Sequence, residues 1–281
     1  MKYVILATAL AAVSAGPLAG QSFRTLSNSR QVSKETSLFV NVEFAAGRFR
    51  LGRDASGALY HSKLAYNEDR FRPVLDYADG DLHVGIRTNS GKSNLNLDNH
   101  EYDKQYMELN ISPKVPAKLD LTFAAGEADL DLGGLNLSSA LIKTGASKSN
   151  VDFSVPTTGT CDHLEFQVGA AEFRVERIAN SRCRDLDFSG GAGDLTLDFT
   201  GDWGSVTAVN ADIAIGVGSL KLNLPRDVGV EIQMNKFLAS FDRTGLVKRG
   251  GSYYSANWEN AAVRMHMDIT AALGSVDIAW K

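Results

Sequence analysis

Two consecutive stretches of this chain repeat one pattern after 22 residues. The first, CDHLEFQVGAAEFRV, begins at Cys161, and the second, CRDLDFSGGAGDLTL, begins at Cys183. Leu164/Leu186, Phe166/Phe188, Gly169/Gly191, Phe173/Leu195 and Val175/Leu197 occupy matching places. Apolar residues that alternate on both sides of a glycine turn describe one rung of a stacked β architecture. One rung cannot bury its apolar face alone, whereas stacking turns matching residues into interior columns. Neighbouring strands lie about 4.8 Å apart, which brings equivalent cysteines into the roughly 4.4–6.8 Å Cα window of a disulfide. The repeat therefore predicts an all-β fold, a parallel β-solenoid of ~22-residue rungs with an atypical β cap at its C-terminal end. An antiparallel β-sandwich, which also combines short strands with glycine turns, is the alternative.

The pattern extends beyond the two copies. LDLTF at 119–123 leads through Gly126 to DLDL at 129–132, and Gly145 and Gly216 sit at similar corners. Each rung reads as a strand, a glycine corner and a second strand, and no segment has sustained helical periodicity. The last alternating run, 262–280, ends in LGSVDIAW, echoes VGSLKL at 217–222, and is expected to cap the stack. Residues 105–281 form the main solenoid in this reading, and 38–104 its N-terminal β region. Within the latter, 38–44, 48–51 and 81–86 alternate, 60–77 suggests a hairpin, and the polar 89–104 suggests a mobile loop.

Residues 1–20 read as a secretory signal peptide, with Lys2 ahead of a short apolar run and small residues near a cleavage point at Gly20. Polar, aperiodic 21–37 is expected to be a disordered lead-in. An exported product, periplasmic or extracellular, follows, and in that setting two cysteines predict one disulfide, Cys161–Cys183. The formal charge of −4, with both signs mixed, gives no electrostatic footprint for nucleic acid. No later stretch is apolar for long enough to form a transmembrane helix.

The run 119–156, LDLTFAAGEADLDLGGLNLSSALIKTGASKSNVDFSVP, resembles the toastrack β-solenoid domains, which include the putative-adhesin families and domains of LiaF-like cell-envelope stress proteins. The runs 216–232 and 251–280 resemble the C-terminal part of LiaF-like proteins. The resemblance implies an all-β, non-enzymatic module of the cell envelope that acts as an adhesion or assembly surface. LiaF-like proteins carry N-terminal membrane helices where this chain has a signal peptide, a departure that speaks against transmembrane signalling.

Three clusters carry possible chemistry. Strand alternation puts Cys161 and His163 on one face with Cys183 and Asp185 stacked beside them, a four-ligand set for zinc, against which stands the structural disulfide. Asp129, Glu172 and Asp194 each follow a repeat glycine by three residues and should form an outward acidic column, with Glu176 and Asp198 nearby. Bound Ca²⁺ would relieve such a column, although the interleaved Arg174 and Lys221 suggest a solvated face. The run GGAGD at 190–194 resembles a calcium β-roll turn but lacks a residue between Gly193 and Asp194. Tyr253, Tyr254 and Trp258 either close the end of the core or present a partner surface for sugar or protein.

Hydrolase, metalloprotease, phosphate-loop and dinucleotide motifs are missing from the sequence. The expected role is that of a non-enzymatic envelope surface without a cofactor, contacting an envelope protein or polysaccharide and linked to envelope stress. The alternative is a polysaccharide-active parallel β-helix enzyme with paired carboxylates in a groove.

Overall fold

The computed structural model describes residues 23–89 and 104–281. Five long strands make the body: β8 (Ala117–Asp131), β9 (Leu137–Asp152), β10 (Cys161–Glu176), β11 (Cys183–Asp198) and β12 (Ala208–Leu224). They stack in chain order, each parallel to the next. Leu164 pairs with Leu186, Phe166 with Phe188 and Phe173 with Leu195, as the 22-residue repeat requires. The fold is the all-β solenoid, and among the described residues antiparallel pairing is confined to its two ends.

Each of these five rungs is one continuous strand, bent in the middle, rather than two strands around a corner. In β10 the buried residues are Cys161, Leu164, Phe166 and Val168 before the bend, and Ala171, Phe173 and Val175 after it. The alternation slips by one residue at the exposed pair Gly169–Ala170, so both halves face inward and two layers close on each other. The rings of Phe166 and Phe173 meet at 5.6 Å across that interior, and Phe188 joins them from the next rung. Burying each such side chain stabilises the fold by roughly 1.5–3 kcal/mol. The return segments form a third, irregular side, where Leu132, Phe153, Ile178, Phe199 and Trp203 plug the core.

Glycine is required at the bend where strands approach most closely. Gly193, Gly218 and the matching Gly274 stand in one register column with φ of 135°, 138° and 130°. A Cβ on Gly274 would lie 1.7 Å from the Gly218 carbonyl oxygen.

Both ends depart from chain order. Strands β2 (Leu38–Phe44) and β3 (Gly47–Arg53) together form one rung against β8. Outside them lie β6 (Asp81–Thr88) on β2 and β7 (Tyr106–Ile111) on β3, although both come later in the chain. At the opposite end β16 (Arg264–Trp280) slots between β12 and β13 (Gly229–Phe241). The terminal run expected to cap the stack is therefore an interior rung, and its echo of 217–222 is a register match: Gly218 pairs with Gly274 and Leu220 with Val276. The atypical cap is made by β13 with the antiparallel hairpin β14 (Leu246–Arg249) and β15 (Ser252–Ser255).

The disordered lead-in is corrected as well. From Phe23 to Gln31 the chain forms β1, antiparallel to β4 (Ala58–Asn67). Tyr60 Oη donates to Asn28 Oδ1 at 2.7 Å, and the segment that follows is held by Glu35, which accepts from Ser33, Lys34 and Tyr77. The sequence shows no apolar alternation here because β1 gains its order from a backbone ladder and polar contacts, with little buried surface. Strand β4 pairs with β1 and β7, and the hairpin in this region is β5 (Phe71–Ala78) with β6. The signal peptide and most of the expected mobile loop, residues 90–103, lie outside the described residues.

Candidate interaction surfaces

Cys161 and Cys183 are direct register partners on β10 and β11, fully buried, with Cα atoms 4.4 Å apart, and they form a disulfide. This removes both thiolates from the zinc set. His163 also points the other way, because the inward phase runs from Cys161 to Leu164 and skips the residues between. The parity rule fails at this strand start, where the chain enters the sheet from a return segment. The imidazole lies on the outer face, 3.4 Å from Asp187 and 3.6 Å from Glu165, and Asp185 accepts from Asn210.

The acidic column proposed from glycine spacing is corrected too. Glu172 and Asp194 are neighbours, but the position next to Glu172 on the other side is Lys148, whose Nζ lies 3.4 Å from it. Asp129 belongs to a different column, with Asn150 and Arg174. The rungs differ in length before the glycine, so equal distance from a glycine does not mean equal register. Among the described residues no group of three or more His, Cys, Asp or Glu side chains is placed to hold a metal ion.

A row of one charge lies on the outer face of the first layer. Glu165, Asp187, Asp212 and Asp268 occupy successive strands β10, β11, β12 and β16 in register. Desolvation, then the neighbouring Asp187, Asp268 and Asp185, push the Asp212 carboxyl above the usual aspartate range. Part of this row was legible: the acidic residue four places after each cysteine is Glu165 in one copy and Asp187 in the next. Its continuation onto β16 depends on the crossed strand order, which no local pattern announces.

At the C-terminal end the structure separates the three aromatic residues singled out from sequence. Tyr253 turns toward the core end and meets the Phe241 ring at 5.1 Å. Tyr254 and Trp258 meet on the outer side at 5.5 Å, and the Trp258 ring meets His266 at 5.0 Å. Between them lies Glu231, which sequence reasoning missed. Its carboxylate accepts from Tyr254 Oη at 2.7 Å and sits 2.9 Å from His266 Nδ1. Burial opposes its charge, but hydrogen bonds from Tyr254, Ser252 and His266 prevail and hold its pKa below the ordinary glutamate value. Arg264 lies over Trp258 and Arg249 over Tyr254, so cations cover much of the aromatic surface.

A groove of about 780 Å³ beside β2, β6 and β8 holds two carboxylates, Glu43 and Asp120. Each is paired with a cation: Arg87 bonds Glu43 through both Nε and Nη2, and Lys143 lies 3.3 Å from Asp120.

A family model for the N-terminal domain of toast_rack, DUF2154, matches residues 19–176, more than half of the 281. The chain belongs to this toast_rack family. The match ends at Glu176, the end of β10, so β11 to β16 continue the stack of this family member beyond the matched region. A search of curated proteins finds no match. Solved structures to which the chain is similar include a "putative cell adhesion protein" from Clostridium sporogenes, 18% identical, covering 92% of this chain and all of that one, with a TM-score of 0.48. A "putative adhesin" from Bacteroides fragilis is 11% identical over 92% of this chain and 99% of that one, with a TM-score of 0.43. A "Putative lipid binding protein" from Parabacteroides distasonis is 11% identical over 90% of this chain and 96% of that one, with a TM-score of 0.32.

Proposed function

We propose that this toast_rack protein is an exported, non-enzymatic module of the cell envelope whose acidic sheet face serves as an adhesion or assembly surface. The observation that carries the reading is the row Glu165, Asp187, Asp212 and Asp268, one carboxylate per strand. Charges repeated about every 4.8 Å along a sheet suit contact with a repetitive cationic partner, protein or polysaccharide. They do not converge on one point as a general acid and base must. The buried disulfide supports an oxidising, extracytoplasmic location, and the signal-peptide pattern supports export. A link to envelope stress is part of the proposal and predicts altered sensitivity to cell-wall antibiotics when the gene is deleted.

The direct test is co-sedimentation of the mature protein with isolated envelope at low and high salt. Retention that falls with salt, and falls at least tenfold in the Asp187→Ser/Asp212→Ser/Asp268→Ser variant, supports the reading. Equal retention of variant and parent overturns it, as does release of reducing ends from a polysaccharide panel.

A further inference from the structure

The outer edge of β13 changes character along its length. Glu231 to Gln233 are paired with β15, but from Met234 to Phe241 the described residues place no strand beyond it. The Asp242 N–H donates to the Val276 carbonyl on the inner side. The alternation of a β-ladder then turns the backbone groups of Phe241 and Ala239 outward, away from β16. This stretch, MNKFLASF, has one charge, Lys236. It also carries two strongly exposed apolar side chains, Phe237 at 82% and Leu238 at 64%. Leu238 continues a line of exposed apolar residues along the bend, with Leu273 and Val217 on the next two strands.

Other free edges carry the protections that keep sheets from pairing. Strand β5 contains Pro73, β14 is four residues long with Lys248 and Arg249, and β1 is largely polar with Arg24 and Arg30. From Met234 to Phe241 the β13 edge has no proline, and its one charge is Lys236.

We propose that this edge pairs with the same edge of a second copy, antiparallel about a two-fold axis at Ala239. An unpaired ladder calls for a strand, and the sequence is self-complementary in this register. Leu238 faces Ser240, Phe237 faces Phe241, and Lys236 of each copy comes beside Asp242 of the other. Asp242 has an oxygen available for this among the described residues, since both bonds from Thr244 go to Oδ1. A two-fold contact uses each complementary pair twice, which closes the assembly at a dimer. The proposal is independent of the acidic face.

The test is sedimentation of the full mature chain over a concentration series, with charge reversals. The parent should be a dimer. Lys236→Glu alone sets Glu against Asp242, and Asp242→Lys alone sets Lys against Lys236, so each should weaken the dimer about tenfold or more. An equimolar mixture of the two variants should dimerise as the parent does, because each interface then holds two opposite-charge pairs. Circular dichroism checks that both variants fold. If Asp242→Lys disturbs its turn, Phe237→Asp serves as the second disrupting variant. A parent that is monomeric throughout overturns the proposal, as does a dimer that ignores these substitutions. A monomer that instead binds neutral lipid vesicles through Phe237 and Leu238 assigns the patch to membrane and also overturns it.

Discussion

The Tyr77 hydroxyl donates to Glu35 Oε1 at 3.0 Å, tying the segment after β1 to the β5–β6 hairpin across 42 residues of sequence. The Ser33 N–H first, then the Glu35 N–H, Tyr77 and Arg30, hold this carboxyl at a pKa of about 2, with burial opposing. A carboxyl depressed in the folded state contributes stability above its unfolded value, near 4.3, and loses that contribution as pH falls toward about 2. Glu35→Gln should lower the melting temperature at pH 7 and flatten its fall between about pH 4.3 and 2. Limited proteolysis should then cut near residues 32–37, and identical cleavage in parent and variant would refute the tether.

Removing the disulfide should weaken the stack without changing its fold. Cys161→Ser/Cys183→Ser frees a loop of 22 residues, for which chain entropy gives about 3 kcal/mol. The urea midpoint under oxidising conditions should fall accordingly while the far-ultraviolet β spectrum stays the same.

Gly274→Ala should be among the most damaging small substitutions. The added carbon would meet the Gly218 carbonyl, a backbone atom in the middle of the sheet, at φ 130°. A loss of roughly 2–4 kcal/mol is expected, read as a lower denaturant midpoint. Gly250→Ala is the control: φ is positive there too, at 59°, but the new carbon meets nothing within 4 Å. A smaller loss at Gly250 isolates the effect of the strand-to-strand approach.

Asp212→Asn should stabilise the protein at neutral pH. The folded state raises this carboxyl, so it favours the protonated form, and stability declines as pH rises above the unfolded value of about 3.9. The side chain is exposed, so solvent screening limits the gain to on the order of 0.5 kcal/mol or less. The gain should vanish at pH 3 and shrink in high salt, and thermal melts across pH would show both.

The repeat made the middle of the fold readable because Leu164/Leu186 and Phe166/Phe188 each recur at one offset and stack where that offset puts them. The same logic located the Cys161–Cys183 contact. It failed where register depends on something other than the repeat. His163 left the cysteine face because alternation slips at a strand start, and Asp129 left the acidic column because rungs differ in length. The contact of Glu231 with His266 needs β16 beside β13, a crossing that only tertiary packing decides. Strand β1 was invisible for a different reason, since backbone pairing leaves no hydrophobic trace.

The crossed strand order at the C-terminal end sets the sequence of events in folding. A solenoid whose rungs follow the chain can zip up in the order in which its rungs are made. Here β13 has no docking site until β16, synthesised some twenty residues after it, has settled on β12. Until then β13 and its hairpin wait as an unattached arm, so completing this end of the stack hinges on a strand that arrives after them.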